Sequence, residues 1–226
     1  KRQELARLHF DPELLPVDSL GGEEAVTPDR LRDDALRARF SNPPSWSPEI
    51  TVERLVRPMS GPLTEAAVLL PIVLREENGP TILFTQRAAH LNDHAGQISF
   101  PGGRMESYDE SAIATALRET EEEVGISRRH IDVIGTLPEY HTGTGFRVTP
   151  VVGIVKPPFE VNADPFEVAE VFEVPLAFLM DGQHHQRRTA EFVTGNRTFY
   201  VMPYERFFIW GATAGMLRNL FHFLRA

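Results

Sequence analysis

The chain contains no cysteine among its 226 residues, so disulfide bonds and thiolate chemistry are excluded. It also lacks an apolar run of the roughly 18–20 residues needed to cross a bilayer, and residues 1–15 lack the continuous apolar region of a secretory signal. Basic residues are in deficit, with 23 Lys and Arg against 32 Asp and Glu. This balance argues against a general nucleic-acid-binding protein. We therefore expect a cytoplasmic protein whose partners include neither nucleic acid nor a membrane.

Hydrophobic residues make up 42% of the chain, which predicts a globular fold. Residues 1–60 have the pattern of an appendage. Thr27 and Pro28 form a helix-start signal, and apolar residues then recur at helical spacing at Leu31, Ala35, Leu36 and Phe40. We expect a helical arm over residues 1–60, packed on the core or on a second subunit of a homodimer, and a main domain over residues 61–226.

Strand and helix patterns alternate irregularly from residue 66 onward. Apolar runs predict strands at 67–74 and 81–87, joined as a hairpin, and further strands at 131–135, 148–155, 168–174 and 198–201. Pro150 predicts that the strand around it is bent or lies at a sheet edge. Helices are predicted at 110–124 and 209–224, and the segment 181–196 is polar. The expected fold class is therefore α/β or α+β, with a mixed sheet.

The helix predicted at 110–124 carries an acidic cluster. Glu119, Glu122 and Glu123 have the i, i+3, i+4 spacing that places side chains on one helix face. Such carboxylates repel each other, and Mg²⁺ or Mn²⁺ would relieve the repulsion because these ions prefer oxygen ligands. The alternative is an ordinary solvated acidic face. Two neighbours favour the metal: Arg118 can brace a glutamate, and the Gly-Gly turn before the helix can present a backbone carbonyl.

These residues resemble the Nudix box, G-x5-E-x7-REUxEExGU with U aliphatic. Residues 118–126 read RETEEEVGI, with Thr120 in place of an aliphatic residue. Six residues rather than five separate Gly103 from Glu110; counting to Asp109 restores the five but lengthens the next gap to eight. The role of Glu110 therefore stays open at this point.

The resemblance implies the Nudix fold, a mixed sheet between helices with the box as loop–helix–loop. It also implies Mg²⁺- or Mn²⁺-dependent hydrolysis of a nucleoside diphosphate linked to another moiety. Transferred by position, Glu119, Glu122, Glu123 and the carbonyl of Gly103 would be metal ligands. Arg118 would orient a glutamate.

A second stretch, residues 83–103, is similar to the signature of the coenzyme A pyrophosphatase branch, L-[LM]-T-x-R-[SA]-x3-R-x3-G-x3-F-P-G-G. The spacing is kept, with departures at Phe84 and at Asn92, where a basic residue is expected. Residues 142–150, 167–176 and 209–213 look like the same branch. The implied reaction is hydrolysis of the pyrophosphate of coenzyme A or a derivative. Its products would be 4′-phosphopantetheine or its acyl form, and adenosine 3′,5′-bisphosphate.

Further side chains are expected to serve this chemistry. Water activation needs a base, for which a helix glutamate or Glu167 is expected, with Glu170 as the weaker choice. Arg87 and Arg104 are expected to bind phosphate, although surface ion pairs would explain them as well. The remaining hypotheses are a 3′-phosphate site at Arg187 and Arg188, a substrate contact at His94 and a core position for Trp210. Two other functions stay open: hydrolysis of another diphosphate such as ADP-ribose, and nucleotide binding by a regulator without catalysis.

Overall fold

The computed structural model describes residues 11–55, 59–91, 96–192 and 195–226. The strands are β1 (Ser19–Leu20), β2 (Thr64–Val73), β3 (Thr81–Arg87), β4 (Ile98–Ser99), β5 (Gly102–Arg104), β6 (Ile131–Thr136), β7 (Tyr140–His141), β8 (Phe146–Val155), β9 (Val168–Pro175), β10 (Gln186–Phe192), β11 (Gly195–Tyr204) and β12 (Phe207–Trp210). The helices are α1 (Asp33–Ser41), α2 (Ala112–Val124), α3 (Leu176–Leu179) and α4 (Gly211–Arg225). No helix in these ranges is long and apolar enough to cross a membrane.

The main sheet has eight strands and is mixed, as predicted. Its central path runs β4-β3-β2-β8-β6, while β5 pairs with β2, β7 with β8 and β9 with β3. Strands β2 and β8 run parallel, and the other pairs are antiparallel. Both faces are covered, which explains why β2 reads as an almost continuous apolar run.

Alternate residues of β2 face different helices, as the twofold side-chain period of a strand requires. Ala67 and Leu69 belong to the apolar cluster that contains Val124 of α2. Leu70 belongs to the larger cluster that contains Leu217 of α4. The sheet therefore lies between helices, and the fold class predicted from the sequence is confirmed.

A second sheet, with the order β1-β10-β11-β12, was not predicted. Strands β10 and β11 form a hairpin that covers much of the segment described from sequence as polar. Only residues 198–201 were expected to be a strand here. Ile209 and Trp210 belong to β12, so the prediction that they begin the C-terminal helix is wrong. The first turn of α4 is Gly211 onward, after the strand ends.

Pro150 lies inside the main sheet, so the prediction of an edge position is wrong. Strand β8 has β2 on one side and both β6 and β7 on the other. Pro150 faces the interval between β6 and β7, where its carbonyl accepts from the N–H of Leu137 at 2.9 Å. Proline lacks an N–H, and no ladder bond is needed from that nitrogen in this interval.

The N-terminal segment packs into the main core. Pro28–Leu31 forms a 3₁₀ turn at the predicted start signal, and α1 begins only at Asp33. Val26, Leu31 and Leu36 are buried in the same apolar cluster as residues of α4. The packing of this segment on the core was one of the two arrangements expected.

A buried ionic network fastens the same segment to α4. The side chain of Arg218 is 1% exposed and donates to Glu23 at 2.9 Å and to Glu49 at 2.7 Å. The bond from Arg218 lowers the pKa of Glu23 to about 2. Burial alone would raise the pKa of Glu49, but bonds from His222, Tyr200 and Arg218 outweigh it and lower the value to about 2. Both carboxylates are therefore ionised and paired at neutral pH.

Candidate active site

The Gly102–Gly103 turn and helix α2 are held together by strand pairing. Strand β5 pairs with residues 66–68 of β2, on which α2 also packs. The helix starts at the cap Ser111, whose hydroxyl accepts from Ala114 N at 3.1 Å, and ends at Gly125 with φ +73°. Gly103 meets the helix closely: a Cβ placed there would lie 2.5 Å from Cδ of Glu119. The absence of a side chain at Gly103 leaves the space that the Glu119 carboxylate occupies.

Arg118 lies at the centre of the charged groups on α2. Its guanidinium donates to Glu119 at 2.9 Å, to Glu122 at 3.0 Å and to the carbonyl of Arg104 at 3.2 Å. Its side chain is only 15% exposed. Arg118 thus contacts two of the three glutamates that were expected to bind metal and links them to the glycine turn.

Asp109 holds Arg118 from the other side. It accepts two bonds from the guanidinium, both at 2.9 Å, and one from Thr115 at 3.0 Å. Arg118 thereby lowers the pKa of Asp109. Glu110 is exposed. Asp109, rather than Glu110, is therefore the acidic residue before the helix that contacts Arg118. The sequence signal that could have identified it is the five residues that separate it from Gly103.

Glu123 is the most buried carboxylate of the helix, at 9% exposure. Burial raises its pKa to about 8, and the charges of Glu119 and Glu167 add to the increase. The N–H of Gly102 and the charge of Arg87 act in the opposite direction. Glu167 and Arg87, both expected at the site, therefore influence the pKa of Glu123 although they belong to different segments.

Glu119 has a similar environment. Burial raises its pKa, Arg118 opposes the increase, and Glu122 and Glu167 add to it. The carboxylates of Glu119, Glu123 and Glu167 thus repel one another when ionised, in a partly buried region. An ion of positive charge would remove this repulsion.

The donor set fits Mg²⁺ or Mn²⁺, because every expected ligand is a carboxylate or carbonyl oxygen. In the described ranges, no three histidine, aspartate or glutamate side chains already converge in a metal-holding geometry. Glu122, at 59% side-chain exposure, and Glu119 are instead turned toward Arg118. Arg118 contacts one oxygen of each carboxylate, Oε1 of Glu119 and Oε2 of Glu122, so a metal ion would meet the other oxygen of each while Arg118 keeps its bonds.

Other expected side chains lie in different surroundings. Arg104 is exposed, with its guanidinium 5.6 Å from the centre of the Phe146 ring, and Glu170 pairs with Arg206. Arg188 donates to the carbonyls of Glu13 and Leu15 at 3.0 and 2.9 Å, and Arg187 donates to the carbonyl of Leu20 at 2.9 Å.

The hypothesis of a 3′-phosphate site at the two adjacent arginines is therefore not supported, because both tether the N-terminal segment. Trp210 packs against Phe199, as expected for a core position. Asn92 and His94 lie outside the described residues.

The two glycines of the turn should respond differently to alanine. In Gly103→Ala the new methyl meets the mobile end of Glu119, so the fold should tolerate it while kcat/KM falls at least about tenfold through displacement of that carboxylate. In Gly102→Ala the methyl meets the Cα of Val68 at 2.7 Å, so the melting temperature should fall. Steady-state rates and thermal unfolding of both variants test this. Normal rates in Gly103→Ala would show that the position of Glu119 is unimportant.

Comparison with known proteins gives consistent matches. A family model described as NUDIX domain matches residues 64–192. The protein named "Uncharacterized Nudix hydrolase NudL" of Salmonella heidelberg (strain SL476) is 45% identical over 192 residues, covering 84% of this chain and 94% of its own. The protein of the same name from Escherichia coli (strain K12 / DH10B) is 47% identical over 157 residues, covering 69% and 80%. Among solved structures, a Nudix hydrolase from M. smegmatis, RenU, is similar with a TM-score of 0.44 and 24% identity, over 52% of this chain and 73% of that one.

Proposed function

The chain belongs to the Nudix family of hydrolases, and from this we propose that it hydrolyses the pyrophosphate bond of coenzyme A or one of its derivatives. The family acts on nucleoside diphosphate derivatives. The narrower substrate is supported by the signature in residues 83–103 and by the way its two halves pair in the fold.

The observation that carries the proposal is the convergence of this signature on the acidic helix. Strand β3 pairs with β4 through Thr85–Ser99 and Gln86–Ile98. This pairing joins the half of the signature that carries Arg87 to the half that ends in the glycine turn. The charge of Arg87 and the N–H of Gly102 both lower the pKa of Glu123. A diphosphate at the carboxylates would therefore meet an arginine that the signature supplies.

The departure at Phe84 has a structural explanation that leaves the substrate unaffected. Phe84 is fully buried, and its ring stacks at 5.2 Å on Phe100 and at 5.6 Å on Phe172. Phe100 belongs to the same signature, and Phe172 lies on β9. The larger ring at this position therefore packs in the core against other aromatic side chains.

Each site residue has a role in this proposal. Glu119, Glu122, Glu123 and the carbonyl of Gly103 would hold Mg²⁺ or Mn²⁺, which would neutralise diphosphate charge and lower the pKa of bound water. Arg87 would bind a phosphate oxygen. Arg118 orients Glu119 and Glu122 through the bonds described above. Glu167 or a helix glutamate would accept the proton of the attacking water.

The test is product identification. The purified chain is incubated with coenzyme A, ADP-ribose or diadenosine tetraphosphate, each with Mg²⁺ or Mn²⁺. The products are separated and identified by mass spectrometry. We expect 4′-phosphopantetheine and adenosine 3′,5′-bisphosphate, with the highest kcat/KM for coenzyme A or an acyl derivative. A preference for ADP-ribose or the dinucleotide would overturn the substrate. Binding without turnover of any of them would favour the regulator, although the complete carboxylate set argues against it.

A further inference from the structure

The segment between β8 and β9, residues 156–167, joins the end of α2 to Glu167. It has no regular secondary structure, yet its backbone is hydrogen-bonded to that of Glu123 and of Ala88, and the charge of Glu167 raises the pKa of both Glu119 and Glu123. Asp164 makes most of the hydrogen bonds that define this path, through its backbone and its side chain.

One set of bonds fastens the segment to the last turn of α2. Asp164 N donates to the carbonyl of Glu123 at 2.9 Å, and Asn162 N donates to that of Val124 at 2.9 Å. These carbonyls have no partner within the helix, so the segment supplies what the helix end lacks. Gly125 permits the approach, because a Cβ there would lie 2.8 Å from the carbonyl oxygen of Asn162.

A second set of bonds runs from Asp164 toward Glu167. The Asp164 carboxylate accepts from Phe166 N at 2.9 Å, and its carbonyl accepts from Glu167 N at 3.2 Å and Val168 N at 2.8 Å. The carbonyl of Glu167 in turn accepts from Ala88 N at 2.9 Å, next to Arg87. A side-chain bond to the N–H two residues ahead fixes the direction of a turn.

We propose that Asp164 is a positioning residue that sets the place of Glu167 relative to Glu123. The N–H of Asp164 donates to the backbone carbonyl of Glu123, whose side chain is an expected metal ligand. The carbonyl and carboxylate of Asp164 hold the turn that leads to Glu167. This inference rests on the proposed function, because Glu167 matters only if the carboxylates perform hydrolysis.

The test compares Asp164→Ala with Asp164→Asn. Asparagine keeps an oxygen that can accept from Phe166 N, whereas alanine removes it. We expect kcat to fall about tenfold or more in Asp164→Ala, with KM nearly unchanged and most of kcat retained in Asp164→Asn. Asp181→Ala is a matched control, because Asp181 makes the same kind of bond, to Gln183 N at 2.9 Å, in another turn. It should leave kcat unchanged.

A double-mutant cycle with Glu167→Gln shows whether the effect passes through Glu167. Asp164→Ala should cause no further loss of kcat in the Glu167→Gln background. Additive losses, or equal losses in the alanine and asparagine variants, would overturn the proposal.

Amide hydrogen exchange supplies a readout without turnover. Asp164→Ala should accelerate exchange at Phe166 and Glu167, and unchanged exchange would also count against the proposal. If the wild-type chain hydrolyses ADP-ribose and not coenzyme A, the proposed function fails and the same cycle is measured with ADP-ribose.

Discussion

Replacing Glu123 with glutamine should lower kcat about 10²- to 10⁴-fold, the range attributed to a positioned acid–base group. The same change should leave the melting temperature of the metal-free protein unchanged or higher. Glu123 is 9% exposed, and burial together with repulsion from Glu119 and Glu167 raises its pKa to about 8, so folding at neutral pH requires this side chain to take up a proton. Glutamine is already neutral and avoids that cost. Steady-state kinetics and thermal unfolding measure the two effects.

The matched control is Glu121→Gln on the same helix. Glu121 is exposed and lies outside the expected ligand set, so its replacement should change neither rate nor stability. Metal titration adds a distinction. If high Mn²⁺ concentration restores the Glu123→Gln rate, Glu123 acts as a ligand; a loss that does not depend on the metal concentration indicates proton transfer. Wild-type turnover in Glu123→Gln would contradict the catalytic interpretation of the helix.

The second large effect concerns stability. Arg218→Met should destabilise the fold by about 3–5 kcal/mol, the loss typical when one partner of a buried ion pair is removed. Glu23 and Glu49 would remain with their charges unpaired by the guanidinium. For a chain of this length we expect the melting temperature to fall by about 6–20 °C. Urea denaturation followed by circular dichroism gives the free energy directly.

Two variants sharpen this experiment. Adding Glu23→Gln to Arg218→Met should recover part of the loss, since one uncompensated carboxylate is removed. Arg75→Met is the control: Arg75 binds Glu173 with similar geometry, but its side chain is 40% exposed. The expected loss there is about 0–1 kcal/mol. Equal losses for Arg218→Met and Arg75→Met would show that burial of the network contributes nothing.

Local patterns were sufficient for the longer strands of the main sheet and for the site helix. The run 81–87 matches β3 residue for residue, because turn residues bound it on the N-terminal side and its centre, Ile82, Leu83 and Phe84, is apolar. The helix ended at the predicted glycine, Gly125, which has the left-handed backbone that is common just after a helix. The acidic cluster was visible because helical spacing alone brings Glu119 and Glu123 together.

Features that depend on distant partners were not visible. Strand β10 reads as polar because Arg188 lies within it, yet this side chain is buried, at 9% exposure, by carbonyls from residues 12–15. The roles of Asp109 and Asp164 depend on which backbone or guanidinium groups face them in the folded chain. The edge position predicted for Pro150 was wrong because a central strand accepts proline here only where it faces the interval between β6 and β7.

The ionic network also has a consequence for the order of folding. In sequence, Glu23 and Arg218 are 195 positions apart, and Glu49 and Arg218 are 169 positions apart. During synthesis the segment that carries Glu23 and Glu49 leaves the ribosome well before α4, against which it packs. Val26 and Leu31 therefore stay without their partners in α4 until that helix has been made. Contacts of this range slow folding, so docking of the first segment onto α4 is expected to be a late step.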